Sequence, residues 1–469
     1  MSENPGRRIV EWFKSRLGLK VSVLHPVPEY SMNPFYWLGA LAVMAFGLQV
    51  LTGLLMLIYY VPTTDQAYSS TLYIIQYVPL GWLLETVHLY GAYAMILLAF
   101  LHLFRGYFVS AQKKPREMMW VVGMLMGLLV VGFGLTGYLL PWTVVSKSAT
   151  DVSIGMLGFL PAQIGSIITF LIAGSGSSSG ELTRFFDLHI IVLPAGLLSL
   201  IALKLYMFEA HGPSEPIGGA KKTKEIPWFP TVYLYFAMVG SVFVAFILVV
   251  SSLFPFQLPA AYTATAAANY TPQPEWYFLW VYQLLKFASF EGSGIYYALG
   301  LVTLLIVGFV VLPFVDRTGR RDPFSRPLYT TVGLIMIGEL LVMTVWGYLT
   351  PGQVIPDVQA VEVLGTVALI VVASTTFVFR VHSREKATGP AAVAVRALAL
   401  PFTNRAVTAV FAVPLIVGSV CLANLVSMLS GGQFSMPLVG VNLAVLLGSF
   451  YAMARMMRSL TVTYKRVRP

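Results

Sequence analysis

Long apolar runs recur along the whole chain and are separated by shorter polar segments. One crossing of a bilayer needs about 20 residues at a rise of about 1.5 Å per residue. The runs lie at approximately 34–60, 80–108, 118–140, 184–209, 231–254, 294–315, 328–350, 360–381, 406–429 and 436–456. None shows the alternation of apolar and polar positions that is typical of outer-membrane barrel strands. The pattern therefore predicts an all-α membrane protein with about ten transmembrane helices.

The composition agrees with lipid as the main solvent. Hydrophobic residues make up 57% of the 469 residues and charged residues only 11%, whereas a soluble domain has about 25% charged residues. This excludes soluble enzymes and disordered chains. The chain has one cysteine, Cys421, which excludes a disulfide framework and a cysteine-ligated iron–sulfur cluster within this chain.

The basic residues indicate the orientation of the predicted helices. If the N-terminus is inside, all but three of the 30 Lys and Arg residues fall on the inner side, and the exceptions are Lys147, Arg184 and Lys286. Inner loops of membrane proteins carry such an excess of positive charge. We therefore expect both termini to be cytoplasmic and explain the net charge of +10 by topology, without a nucleic-acid partner. The first 20 residues are predicted to form an amphipathic helix on the inner surface.

Histidines and glycines repeat at one spacing in three of the predicted helices. His88 and His102 lie 14 residues apart, which is about 21 Å along the helix axis and within ~40° of one face. His189 begins another span. A single such histidine is more often a core residue, but three favour metal ligation. Gly39 and Gly53, and also Gly123 and Gly137, share the 14-residue spacing. Glycine admits the close approach of a flat macrocycle, although small residues also serve plain helix packing.

Six motifs carry a resemblance to a known family. The chain resembles cytochrome b, the membrane subunit shared by cytochrome bc complexes and their photosynthetic counterparts, over roughly residues 30–380. The matching stretches are Gly81–Leu84, Phe100–Gly106 (FLHLFRG), Lys114–Glu117 (KPRE), Gly137–Trp142 (GYLLPW), Leu182–His189 (LTRFFDLH) and Pro274–Tyr277 (PEWY). The resemblance implies an inner-surface segment at 1–30, a four-helix haem-binding bundle at 31–225, a C-terminal part with the quinol-site loop at 226–385, and a linker with two extra helices at 386–469.

The resemblance also implies the haem ligands. His88 and His189 would ligate an outer haem, and His102 an inner one. The fourth ligand of the family is a histidine 14 or 15 residues after position 189, but here these positions are Leu203 and Lys204. We predict that Lys204, as a neutral amine, ligates the inner iron. Alternatively, Lys204 extends to the inner surface, and the inner haem is five-coordinate or absent.

Two arginines and two departures from relatives concern the haem surroundings. The family usually has an arginine three residues before its first histidine, near a haem propionate, but this chain has Glu85. Arg184 is a candidate to replace that charge, while Arg105 matches the arginine near the inner haem. Photosynthetic relatives attach an extra haem through a cysteine where this chain has Trp37. We therefore expect two non-covalent b-type haems, with their substituents left open.

The PEWY match points to quinol chemistry. Glu275 follows Pro274 in a predicted outer loop, and a carboxylate whose proton affinity is raised by partial burial is a suitable general base. The plainer interpretation is an interfacial carboxylate at a helix N-terminus. The resemblance implies that Tyr138 and Tyr282 line the same pocket. It further implies the catalytic subunit of a respiratory quinol oxidoreductase, which passes electrons from quinol through two haems and couples this transfer to proton translocation.

The expected partners follow from what this chain lacks. A Rieske protein needs two cysteines and two histidines for its cluster, so it must be a separate subunit. A cytochrome c, terminal oxidase subunits and a second copy of the chain are further candidates, in the plasma membrane of a prokaryote. Two alternatives stay open. A b-type cytochrome that anchors a dehydrogenase or hydrogenase does not explain the PEWY match, and a proton-coupled transporter without haem does not explain the glycine spacing.

Overall fold

The computed structural model describes residues 26–157, 162–174, 178–216, 224–316 and 318–387. Their helices are α1 (Leu38–Leu57), α2 (Ala67–Tyr77), α3 (Gly81–Phe108), α4 (Glu117–Leu139), α5 (Val144–Leu157), α6 (Ala162–Ala173), α7 (Ser178–Asp187), α8 (Leu193–His211), α9 (Tyr233–Leu253), α10 (Ala264–Ala268), α11 (Leu279–Leu285), α12 (Ile295–Val315), α13 (Pro327–Leu349) and α14 (Asp357–Ala387). Two short strands, β1 (Val27–Pro28) and β2 (Glu225–Ile226), form an antiparallel pair.

Eight helical segments in the described part of the chain are long and apolar enough to cross a membrane. They are Leu38–Leu57, Gly81–Phe108, Glu117–Leu139, Gly180–His211, Trp228–Leu253, Gly292–Val315, Pro327–Leu349 and Asp357–Arg380. Their bounds agree within a few residues with the first eight predicted runs, so the prediction of a helical membrane protein is confirmed. The two remaining runs and the predicted N-terminal surface helix lie outside the described residues.

The two longest connections between the predicted runs, at 141–183 and 255–293, contain short helices. The segment after α4 holds α5, α6 and α7, and the segment after α9 holds α10 and α11. Backbone groups close to lipid need hydrogen-bond partners within the chain, and short helices provide them. These helices carry several of the residues described below.

The chain divides into two compact units. Of the described residues, the first unit comprises 26–59, 73–102, 212–216 and 224–256, and the second comprises 60–72, 103–157, 162–174, 178–211, 257–316 and 318–387. In the first unit, Trp37 stacks on Phe236 of α9, with ring centroids 5.4 Å apart. In the second unit, the Trp120 indole of α4 donates a hydrogen bond of 2.6 Å to the backbone oxygen of Phe309 on α12. Each unit thus joins helices that are distant in sequence.

Candidate functional site

In the first unit, His88 of α3 lies against α1. A Cβ atom placed on Gly53 would be only 3.3 Å from the imidazole Cε1, so glycine leaves the space that the ring uses. The hydroxyl of Thr52 lies 2.8 Å from Nδ1 of His88 and donates to the backbone oxygen of Leu48 at 2.8 Å. Because its own proton is used there, the hydroxyl oxygen can accept the Nδ1 proton, which favours the tautomer with the proton on Nδ1. This tautomer keeps the lone pair on Nε2, the nitrogen that is available to bind a metal.

The second unit repeats this arrangement with other residues. A Cβ atom on Gly137 of α4 would lie 2.6 Å from Cε1 of His189. Thr136 has its hydroxyl 3.0 Å from Nδ1 of that histidine and donates to the backbone oxygen of Gly132 at 2.9 Å. The edge of the imidazole also meets the ring of Phe133, with centroids 5.5 Å apart. The ring of His189 is thus held in the same tautomer as that of His88.

The other two predicted ligands also face the other two predicted glycines. In the first unit, a Cβ atom on Gly39 would lie 3.0 Å from Cε1 of His102. In the second unit, a Cβ atom on Gly123 would lie 3.0 Å from the Nζ atom of Lys204. Each of the four predicted glycines therefore makes room for the tip of one predicted ligand. The tip of Lys204 lies against Gly123 in the same way as the ring of His189 lies against Gly137.

A π-helical turn explains the spacing of the two ligands in the second unit. The other pairs are separated by 14 residues, but His189 and Lys204 are separated by 15. His189 lies in the turn Leu188–Val192, which has π-helical hydrogen bonds and continues into α8. A π turn accommodates one extra residue in an α-helix. The extra residue is absorbed there, so Lys204 keeps the helical phase that a 14-residue spacing gives elsewhere.

A cluster of tyrosines surrounds Glu275 in the second unit. Burial, and after it the Glu275 carboxylate, raises the pKa of Tyr277. Burial, then Tyr282 and then Glu275 raise the pKa of Tyr270. The charge of Glu275 also acts on Tyr138. These electrostatic interactions place the three predicted catalytic residues Glu275, Tyr138 and Tyr282 in one neighbourhood, together with two tyrosines that the sequence analysis did not select.

Tyr282 borders a cavity of about 340 Å³. The hydroxyl oxygen of Tyr282 accepts the backbone N–H of Gly352 at 2.8 Å, so its own proton can be donated elsewhere. The cavity is mostly apolar, and α5, α11 and the start of α12 form its walls with Val152, Gly155, Met156, Tyr282, Leu285, Lys286 and Ile295. A mostly apolar pocket with a few polar groups suits a small hydrophobic ligand.

The two predicted arginines have different surroundings. Arg105 lies in the last turn of α3, where a positive charge interacts favourably with the helix dipole. Arg184 of α7 places its guanidinium over the ring of Phe170, 5.5 Å from the centroid, and donates to the backbone oxygen of Gly180 at 3.5 Å. Both contacts of Arg184 are within the second unit. The predicted role of either arginine at a haem propionate stays a prediction.

The sequence analysis missed Thr52, Thr136, Tyr270 and Tyr277 as candidate site residues. A signal for the threonines was present, because the dipeptide Thr-Gly occurs at both Thr52–Gly53 and Thr136–Gly137. Tyr277 belongs to the PEWY motif, and a Cβ atom on Gly134 would lie 2.8 Å from its hydroxyl oxygen. Tyr270 has no comparable signal, since only the folded loop brings it near Glu275.

Two family models match most of the described chain. The model described as Cytochrome b/b6/petB matches residues 23–212. The model described as Cytochrome b(C-terminal)/b6/petD matches residues 265–372. The first match contains the four predicted iron ligands and the four glycines, and the second contains the tyrosine cluster around Glu275, apart from Tyr138.

Several relatives share this extent of similarity. The "Cytochrome bc complex cytochrome b subunit" of Chlorobaculum thiosulfatiphilum is 35% identical over 350 residues, which cover 72% of this chain and 80% of the relative. "Cytochrome b" of Sulfolobus acidocaldarius is 33% identical and covers 77% of this chain and 70% of that protein. A solved structure titled "Hyperthermophilic respiratory Complex III" aligns with a TM-score of 0.63 at 25% identity and covers 79% of this chain and 96% of its own.

Proposed function

This chain belongs to the cytochrome b family, and we propose that it oxidises quinol within a bc-type respiratory complex and passes electrons across the membrane through two b-type haems. One observation carries the proposal: four side chains able to ligate iron each lie against one of four glycines, at spacings that repeat in both units. Helix packing alone does not require a histidine or lysine tip at every one of these glycines.

The residues present fit two haems. His88 and His189 would hold the outer haem, because a threonine hydroxyl at Nδ1 of each ring favours the tautomer that keeps Nε2 for iron. His102 and Lys204 would hold the inner haem, while Arg105 and Arg184 would balance propionate charge. When bound, the haems supply one-electron carriers between the two sides of the membrane.

Glu275 is proposed as the proton acceptor in quinol oxidation. A quinol releases two protons and two electrons when it becomes a quinone. The Glu275 carboxylate, which is half-buried and interacts electrostatically with Tyr138, Tyr270 and Tyr277, would take one proton. Tyr282 would position the headgroup through its hydroxyl. One electron would leave through a separate Rieske protein, and the other through the haems with proton translocation.

The assembly and location are proposed on the same basis. This chain has one cysteine and so cannot form a Rieske cluster, which makes a separate iron–sulfur subunit an obligatory partner. A homodimer, a cytochrome c or terminal oxidase subunits, and a prokaryotic plasma membrane with cytoplasmic termini complete the proposal. The eight spans establish a multi-pass membrane protein.

Quinol-driven haem reduction tests the proposed function. We expect the purified complex to show a reduced-minus-oxidised spectrum of two b-type haems and to reduce them with quinol. Glu275→Gln removes the base and is expected to slow turnover by about 100-fold or more, with the haem spectrum unchanged. The matched control is Glu291→Gln, an exposed carboxylate in the same region. A folded, colourless complex, or full turnover in Glu275→Gln, would contradict the proposal.

A further inference from the structure

Lys286 differs from the other two basic residues on the predicted outer side. Lys147 forms salt bridges with Asp151 and, at 3.4 Å, with Glu181. Arg184 lies over an aromatic ring. Lys286 is only 9% exposed, and it makes no salt bridge within the described part of the chain. Burial of a cation without a nearby carboxylate costs free energy. A ligand that supplies a hydrogen-bond acceptor would offset this cost.

The surroundings of the ammonium group favour a ligand in the adjacent cavity. Nζ of Lys286 donates to the backbone oxygen of Thr350 and, at 2.9 Å, to its hydroxyl. These bonds use two of its three N–H groups, and the described residues provide no hydrogen bond to the third. Nζ also lies 4.8 Å from the centroid of the Tyr282 ring, and both side chains border the cavity of about 340 Å³.

We propose that Lys286 is a ligand-binding residue of the quinol site, whose ammonium donates a hydrogen bond to a ring oxygen of the quinol headgroup in the cavity beside Tyr282. This inference rests on the proposed function, because it assigns a second polar anchor to the same substrate. The apolar walls Val152, Met156 and Ile295 would contact the ring and the start of the tail. A charged donor binds a carbonyl or phenolate oxygen more strongly than a neutral one.

The protonation state of Lys286 changes in the mildly alkaline range. Burial lowers the pKa of Lys286 to about 8. The elements near Lys286 carry Asp151 on α5, Glu291 before α12 and Asp357 at the start of α14, and Tyr282 is the titratable side chain in contact with it. The ammonium form exists below pH 8 and is lost above it. Quinol binding through this donor therefore weakens as the pH rises through about 8.

The test compares charge removal at Lys286 with the same change elsewhere. In the purified complex, with a short-chain quinol analogue as substrate, Lys286→Gln is expected to raise the KM for quinol about tenfold, with a smaller change in kcat. Lys286→Arg keeps the donor and is expected to stay within about threefold of the parent, but to shift the alkaline decline of kcat/KM above pH 9. The control is Lys114→Gln, an exposed lysine on the predicted inner side.

The outcomes separate this inference from the proposed function. A KM within twofold of the parent in Lys286→Gln, with the same decline near pH 8, would overturn the role of Lys286 while quinol turnover itself stands. The same result would indicate that a lipid chain or a quinone tail, without the headgroup, fills the cavity. A parent complex without quinol turnover would instead refute the function. The haem spectrum of each variant checks folding, and Lys286→Arg gives a second comparison if Lys286→Gln fails to assemble.

Discussion

The two predicted haem levels are built differently by this chain. At the outer level, His88 and His189 each face a Thr-Gly dipeptide, and the threonine hydroxyl binds Nδ1 at 2.8 and 3.0 Å. At the inner level, His102 and Lys204 each face a glycine alone, and the residues before these glycines are Leu38 and Val122, which have no hydroxyl. A threonine hydroxyl thus lies at Nδ1 of each outer imidazole, whereas the residue before each inner glycine offers no such group.

This difference predicts where a departure from the family pattern would be tolerated. A lysine cannot use a threonine partner as an imidazole does, because the Nζ atom that would bind iron is its only nitrogen. At the inner level the glycine provides space without requiring a particular ring. Replacement of histidine by lysine at position 204 therefore fits the inner level, whereas the same change at position 189 would leave Thr136 without its imidazole partner.

Removal of the Lys204 amine is expected to have the largest effect on the difference between the two predicted haem levels. Lys204→Leu places an apolar side chain on α8 and removes the nitrogen that faces Gly123. We expect the inner haem to change from low-spin to high-spin, or to be lost, while the outer haem is unaffected. Optical and electron paramagnetic resonance spectra with a redox titration measure this, and Lys224→Leu, at an exposed lysine, is the matched control. An unchanged low-spin spectrum and inner-haem potential would exclude Lys204 as a ligand.

The two outer glycines should differ in their tolerance of alanine. In Gly137→Ala the new Cβ would lie 2.6 Å from His189, whereas in Gly53→Ala it would lie 3.3 Å from His88. The shorter contact forces the ring to move, and the threonine bond resists that movement. We expect Gly137→Ala to lose most of the outer haem and Gly53→Ala to retain most of it. Haem extraction and the ratio of haem to protein decide this, and equal retention in both variants would show that the rings are not held in place.

Loss of a threonine hydroxyl should have the smallest effect. Thr136→Val and Thr52→Val are close in shape to the parent residue and remove the hydroxyl at Nδ1 together with its hydrogen bond to the preceding turn of the helix. Partners of this kind change metal affinity by about 10- to 100-fold, so we expect weaker retention and a shifted potential of the outer haem. The inner haem serves as the internal control in the same sample. A shift confined to the inner haem would reverse the assignment of the two levels.

Much of the architecture was predictable from local pattern. Apolar runs of sufficient length specify spans whatever their partners, because lipid requires each helix to satisfy its own backbone, and eight spans were placed within a few residues. The 14-residue spacing of His88 and His102 and of the glycine pairs was equally visible, since a regular helix converts sequence distance into axial distance. By contrast, the short helices α5 and α11 that border the cavity gave no such signal.

The helices, the candidate ligands and the motif that holds Glu275 are visible in the amino-acid sequence, because each depends on periodicity or on residues close together in the chain. The folded chain was needed to show which glycine faces which predicted ligand, that a π-helical turn compensates for the extra residue before Lys204, and that Lys286 borders a cavity together with Tyr282. These facts depend on contacts between residues far apart in sequence and on a local change of helical phase. Neither is visible as a periodic pattern in the sequence, because side-chain packing, and not residue spacing, decides which residues make contact.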